Sequence, residues 1–184
     1  GYRGRLGHGD DLPQPAPRRV EALAGVCAVA AGKMQSAFVD EEGSLFTCGN
    51  GVHGILGTGD QAMQALPTRV DVVDGGKRVH VVAVAMNALG RHAAAVGAGG
   101  ELFTWGEGAC GKLGHADGRR ATALRPQRVL GKLGGERVAH VSVADEHTAV
   151  VTQAGRLYTF GRNDEGRLGD GSSGMAFHSM LVLR

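Results

Sequence analysis

Three markers return along this chain in a fixed order, with a beat of roughly fifty to sixty residues, and that beat restricts the fold more than any other property. A glycine-spaced phrase appears four times: GYRGRLGHG at Gly1–Gly9, GVHGILGTG at Gly51–Gly59, GACGKLGHA at Gly108–Ala116 and NDEGRLGDG at Asn163–Gly171. Its inner glycines Gly4, Gly54, Gly111 and Gly166 lie 50, 57 and 55 residues apart. LFTCG at Leu45–Gly49, LFTWG at Leu102–Gly106 and LYTFG at Leu157–Gly161 keep spacings of 57 and 55. Pro-x-x-Val at Pro17–Val20, Pro67–Val70 and Pro126–Val129 forms the third marker. Self-similarity at such a period identifies a repeat architecture. The copies run approximately over residues 1–50, 51–107 and 108–162, with an incomplete fourth at 163–184, all within one domain.

Inside each copy the pattern is that of strands. The Leu-aromatic-Thr segments are β-favouring and stop at a glycine. Before them lie Ser36–Val39, Ala93–Val96 and Thr148–Val151, joined through the glycine-bearing turns DEEGS, GAGGE and TQAGR. Glycine at such turns supplies the positive φ that a tight hairpin needs. Val26–Ala31, Val79–Ala85 and Val138–Ala144 supply a third strand on the inner side, and a fourth, shorter strand is expected near Pro-x-x-Val. Four antiparallel strands per period describe a propeller blade; leucine-rich repeats are too short, and the 3.6-residue periodicity of helical arrays is missing. The 32 glycines among 184 residues fit many tight turns.

The glycine phrase is expected to be a joint. A phosphate-binding loop occurs once, before a helix, and its best-known form carries Gly-Lys-Ser/Thr. None of these phrases does, and polar or glycine-rich segments follow them. Asp10, Asp60 and Asp170 read as turn formers. The glycines would let the chain bend sharply between blades, with Leu6, Leu56, Leu113 and Leu168 plugging the seam.

Composition narrows the function classes. Lys and Arg number 20 against 18 Asp and Glu, a net charge of +2, so no field for nucleic acid is built. Cys27, Cys48 and Cys110 are widely spaced and odd in number, which argues against disulfides or a zinc site and suggests buried, reduced thiols. A reducing, intracellular location, cytoplasmic or nuclear, is expected. No apolar run is long enough to span a bilayer as a helix, and no membrane partner is expected.

WGEGACGKLGHA at Trp105–Ala116, FGRNDEGRLGDG at Phe160–Gly171 and VADEHTAVVTQAGRLYTFG at Val143–Gly161 resemble the regulator of chromosome condensation repeat family. The resemblance covers nearly the whole chain and implies a seven-bladed all-β propeller. This chain would supply about three blades, as a piece of a longer protein. The copies depart from the pattern in places. Cys48 and Phe160 stand where Trp105 fits it, which would loosen the seam slightly; an insertion at Met86–Arg91 precedes His92; proline is missing from Ser179–Val182.

His92 and His147 share one repeat position, which points to a structural bond from imidazole to a nearby carbonyl; His8 and His115 share a position that also accepts Thr58 and Asp170, and is expected to face solvent. Asp145-Glu146-His147 is an acidic cluster in a turn that other copies also have, so no catalytic, cofactor-binding or metal residue is assigned. The irregular segments Ala116–Arg125 and Asn87–Arg91 are where specificity would reside. Arg119, Arg120 and Arg125 form a candidate partner-binding loop for an acidic partner. The expected function is a non-catalytic protein-interaction module with no cofactor and no small-molecule substrate. The resemblance implies partners such as a small GTPase, a ubiquitin-pathway protein or chromatin. The alternative it implies is guanine-nucleotide exchange on a Ras-like, Ran-type GTPase, which would need a partner-specific insertion longer than any present here.

Overall fold

A computed structural model describes residues 1–87, 89, 91–115 and 121–183, with 177–181 and 183 as backbone alone. Strands β1 (Val26–Ala31), β2 (Gln35–Asp40), β3 (Leu45–Gly49) and β4 (Gln64–Val70) pair antiparallel in that order. A short ribbon of β5 (Val73–Asp74) and β6 (Lys77–Arg78) leads to the second sheet. That sheet holds β7 (Val81–Met86), β8 (His92–Gly97), β9 (Leu102–Gly106) and β10 (Ala123–Arg128). The third contains β11 (Val138–Val143), β12 (His147–Thr152), β13 (Leu157–Gly161) and β14 (Ala176–Leu183). These are three blades of a β-propeller, and the only helical pieces among the described residues are single 3₁₀ turns.

Two expectations change. The fourth strand is not short: β4 has 7 residues and β10 has 6, against 5 in β3 and β9. The sharp bend of the second, third and fourth glycine phrases falls inside a blade, joining its third strand to its fourth, as Gly51–Gly59 joins β3 to β4. Pro17–Val20 lies in no strand, unlike Pro67–Val70.

Burial follows how many faces each sheet covers. Every residue of β8 and β9 is buried, because the middle sheet packs on both sides. In β2 burial alternates, and β12 is similar, because one face lacks a neighbour. The run Ala93-Ala94-Ala95 suits a strand squeezed from both sides. Two apolar cores result. One joins Ala37, Val39, Leu45 and Val70 of the first sheet to Ala95, Phe103 and Trp105 of the second. The other joins Ala94, Val96 and Leu102 to Val138, Val150, Tyr158 and Phe160. Each large side chain so buried contributes about 1.5–3 kcal/mol. On the outward flank of the first sheet Phe38 is only half-buried where its counterparts Ala95 and Val150 are sealed, and Val29 is 68% exposed.

Gly49, Gly106 and Gly161 end the third strands with φ of 110°, 101° and 124°. A Cβ there would lie 2.1, 2.5 and 2.3 Å from the carbonyl oxygens of Met34, Arg91 and Glu146. Those same carbonyls accept the next amide, from Asn50, Glu107 and Arg162, at 2.9, 2.8 and 2.9 Å. Glycine is required twice over, by its φ and by a backbone atom that cannot retreat without losing its bond. Gly75, with φ of 54° and nothing near its would-be Cβ, carries only the first constraint. Urea unfolding should therefore show Gly75→Ala costing about 1–2 kcal/mol, and Gly106→Ala at least about 2 kcal/mol more. Equal costs would refute the steric account.

Candidate interaction surface

The glycine phrases and the loops between first and second strands lie at one end of the sheets. In the first three phrases a 3₁₀ turn (Tyr2–Gly4, Val52–Gly54, Ala109–Gly111) contains a non-glycine residue at positive φ: Arg3, His53 and Cys110. The chain then crosses to the following sheet. The carbonyl of the fifth residue is met there each time by a side-chain donor. Ser36 Oγ donates to Arg5 at 2.7 Å, Trp105 Nε1 to Ile55 at 2.8 Å, and Thr148 Oγ1 to Lys112 at 2.9 Å. The sixth residue is tied back to its own sheet. Thr47, Thr104 and Thr159 hydroxyls donate to the carbonyls of Leu56, Leu113 and Leu168 at 2.7, 2.6 and 2.9 Å. A Cβ on Gly57 or Gly114 would lie 2.9 or 2.8 Å from the ring of Trp105 or Phe160, so glycine makes room for the neighbour's aromatic. Of the leucines expected to plug the seam, Leu56, Leu113 and Leu168 are buried, whereas Leu6 is half-buried.

On this constant frame sits a pair of residues that changes chemistry from blade to blade. The residue before the second strand faces the residue after the third. In the first blade Asn50 Nδ2 contacts Met34 Sδ at 3.7 Å; in the second Arg91 pairs with Glu107 at 3.6 Å; in the third Arg162 pairs with Glu146 at 2.9 Å. The second pair extends inward. Lys112, 1% exposed, puts its ammonium 2.5 Å from Glu107 and 3.3 Å from the carbonyl of Asp145. Asn87 donates to the Asp145 carboxylate across the same seam. Burial opposes ionisation of Glu107, but the Lys112 bond and the Lys112 and Arg91 charges outweigh it and hold the carboxyl below its ordinary value.

His92 is fully buried, and its bond differs from the expected carbonyl contact. Its Nε2 lies 2.9 Å from Thr148 Oγ1. The Thr148 proton goes to Lys112, so the hydroxyl oxygen accepts from Nε2–H. Nδ1 is buried with no partner among the described residues. Burial, with the Lys112 charge second, lowers the imidazole from 6.5 to about 3. His147 is lowered too, by burial first and by Arg167. His115 is half-buried and donates to Thr104 at 3.0 Å, so it does not simply face solvent. Asp10, Asp60 and Asp170 cap turns, accepting from the amides of Leu12, Ala62 and Ser172. Glu146 of the acidic cluster pairs with Arg162 and Arg167.

Arg119 and Arg120 fall outside the described residues. Arg125 belongs to strand β10 instead of a loop, exposed on the rim, with its guanidinium over Gly59 of the preceding phrase. Of the cysteines Cys48 is buried, and burial pushes its thiol up to about 11; Cys110 is half-buried and Cys27 exposed, because β1 lies at the uncovered flank. Sequence reasoning missed Lys112, Glu107 and the 34/50, 91/107 and 146/162 pairs. Their only signal was non-repetition at positions flanking repeated ones.

The model of the regulator of chromosome condensation (RCC1) repeat matches residues 1–39, 42–87 and 99–151, and a second RCC1 repeat model matches 138–167. This chain belongs to the RCC1 repeat family. It is 33% identical to the human E3 ubiquitin-protein ligase HERC2 over 99% of its own length and 4% of that protein's. It is 35% identical to the ultraviolet-B receptor UVR8 of Arabidopsis thaliana, covering 91% of this chain and 37% of the receptor. Among solved structures, human WBSCR16 superposes with a TM-score of 0.81 at 24% identity, and Prp20p of Saccharomyces cerevisiae with 0.82 at 17%. They are matched over 98% and 100% of this chain, and over 45% of each of those chains. These two likenesses concern the propeller fold. The RCC1-repeat chain thus spans less than half of each of these four relatives.

Protonating His92 would place a proton on Nδ1, where no described residue offers an acceptor. A histidine depressed in the folded state contributes full stability above its unfolded value of 6.5, and that stability drains away as pH falls toward about 3. Between pH 8 and about pH 5.5 the loss from this group is about 1.4 kcal/mol. Gln35 fills the same position in the first blade. Replacing His92→Gln should remove that part of the acid sensitivity, read by urea unfolding at both pH values. An unchanged slope would contradict the assignment.

Proposed function

We propose that this RCC1-repeat chain is part of a protein-interaction propeller that performs no chemistry of its own. The observation that carries the reading is the variation of the 34/50, 91/107 and 146/162 pairs on a frame of repeated hydrogen bonds. A surface that keeps its backbone and changes its charges suits recognition. The titratable groups beneath it support the same reading. His92 is sealed, and the Lys112 ammonium is held by Glu107 and the Asp145 carbonyl.

The partner is a protein, and the site of action is the cytoplasm or nucleus. HERC2 is an E3 ubiquitin-protein ligase, and the Prp20p structure is described by its binding to Gsp1p and histones. A ubiquitin-pathway protein, a small GTPase and chromatin are accordingly the first classes to test. Exchange on a Ran-type GTPase is the weaker reading, because likeness to Prp20p at 17% identity bears on fold alone.

Two charge reversals on the phrase-bearing end, Lys33→Glu with Arg91→Glu, are expected to remove the protein's partners in affinity capture. Lys77→Glu with Arg137→Glu at the opposite end should leave them in place. The unmodified protein should not accelerate nucleotide release from a Ran-type GTPase. Partners lost equally from both variants, or an accelerated release, would overturn the reading.

A further inference from the structure

The three pairs at the phrase-bearing end are equivalent in backbone but not in what they leave open. In the second and third blades the pair is ionic, and the neighbouring residues are polar or small. In the first blade the pair is Met34 and Asn50, and beside it lies a cavity of about 180 Å³. Its other walls include Lys33, Val52, His53 and Leu89. Val52 and Leu89 are 45% and 44% exposed, so two aliphatic side chains meet water at one small hollow.

The hollow is held open by its frame. Asn50 donates its backbone amide to the Met34 carbonyl, accepts from Val52 N at Oδ1, and receives Gln35 Nε2 at its own carbonyl. Gln35 also fixes the Met34 amide, and Gln61 fixes that of His53. Leu89 comes from the loop between β7 and β8, which spans residues 87–91, whereas the matching loops span only 32–34 and 144–146. The extra residues of the irregular segment thus place an aliphatic side chain over the first blade's hollow.

The wall itself carries Lys33 and His53, with Arg5 and Arg91 bonded or adjacent in sequence to wall residues, while the nearby Glu107 carboxylate is held by Lys112. Lys33 is exposed and has no carboxylate partner among the described residues. The Arg5 guanidinium donates to the Lys33 carbonyl. Arg91 is 45% exposed and shares Glu107 with the much closer Lys112. The volume is well below the roughly 300 Å³ at which small-molecule pockets begin, and suits one side chain.

We infer that this hollow receives a single aliphatic side chain of a protein partner, flanked on that partner by carboxylates that meet Lys33, Arg5 and Arg91. The inference rests on the interaction-module reading and gives it an address and a ligand chemistry.

The test uses the ¹⁵N-labelled protein and the peptide acetyl-Asp-Glu-Leu-Asp-Glu-amide. Amide shifts are expected at Lys33, Val52, His53 and Leu89. Replacing the peptide's leucine by alanine should weaken binding about tenfold. Exchanging its acidic residues for lysine should abolish binding. Val52→Asp and Leu89→Asp, both at exposed positions, should each remove the shifts while leaving the rest of the spectrum in place, and Lys33→Glu should weaken binding several-fold. Shifts confined to other parts of the molecule would overturn the inference yet leave the interaction-module reading standing. Absence of any shift, or equal binding of the lysine or alanine peptide, would also overturn it.

Discussion

Each of the first three glycine phrases drives a backbone carbonyl against the sheet that follows it, and that carbonyl must be met from that sheet. An unpaired buried carbonyl costs about 1–3 kcal/mol, enough to open a seam whose apolar contacts are otherwise balanced by ordering. The chain meets the demand at Ile55 with Trp105, at Lys112 with Thr148, and at Arg5 with Ser36 and, more weakly, the Cys48 thiol at 3.7 Å. The choice of donor explains the neighbouring residues. Where Trp105 reaches across, the second-strand position holds Ala93; where Thr148 supplies the hydroxyl the aromatic position is Phe160, and where Ser36 does, Cys48 adds a weak thiol donor to the same carbonyl. The departures from tryptophan are therefore exchanges of donor, with no loosening of the seam in hydrogen-bond terms. At the far end, Val81 and Val138 donate their amides to the hairpin glycines Gly43 and Gly100 of the preceding sheet, at 3.0 and 2.9 Å. Both ends of each seam are thus fixed by hydrogen bonds, with the apolar core between.

That fixed frame is what allows the surface above it to vary. The 34/50, 91/107 and 146/162 positions inherit the same backbone bonds and differ in everything else. Lys112 adds a constraint of its own at the second seam. A lysine this buried is tolerable only while Glu107 and the Asp145 carbonyl hold it. The polar cluster of Asn87, Glu107, Lys112 and Asp145 thus fastens the second and third blades together and orients the loops on either side.

Much of this was legible in the chain itself. The beat of the markers, the hairpin glycines and the Leu-aromatic-Thr strands located three blades, because they reflect needs every copy shares. The positive φ of Gly4, Gly54, Gly111 and Gly166, between 69° and 76°, is the physical fact behind their recurrence. The phase of the bend was not legible. A phrase that touches both its own sheet and the next reads equally well as a link inside a blade or between blades. The candidate site was hardly legible, since residues such as Lys33, Val52 and Leu89 matter through their departure from the pattern. Nor does periodicity distinguish a lysine in water from Lys112 at 1% exposure.

The most direct measurement of the seam account is a double-mutant cycle on Trp105 and Ala93, followed by urea unfolding. Trp105→Phe removes the donor to the Ile55 carbonyl, and Ala93→Ser places a hydroxyl where Ser36 and Thr148 carry theirs. The account predicts that the serine recovers at least about 1 kcal/mol of the tryptophan's loss. Strictly additive costs would show that the carbonyl does not need a partner from the neighbouring sheet, and would contradict it.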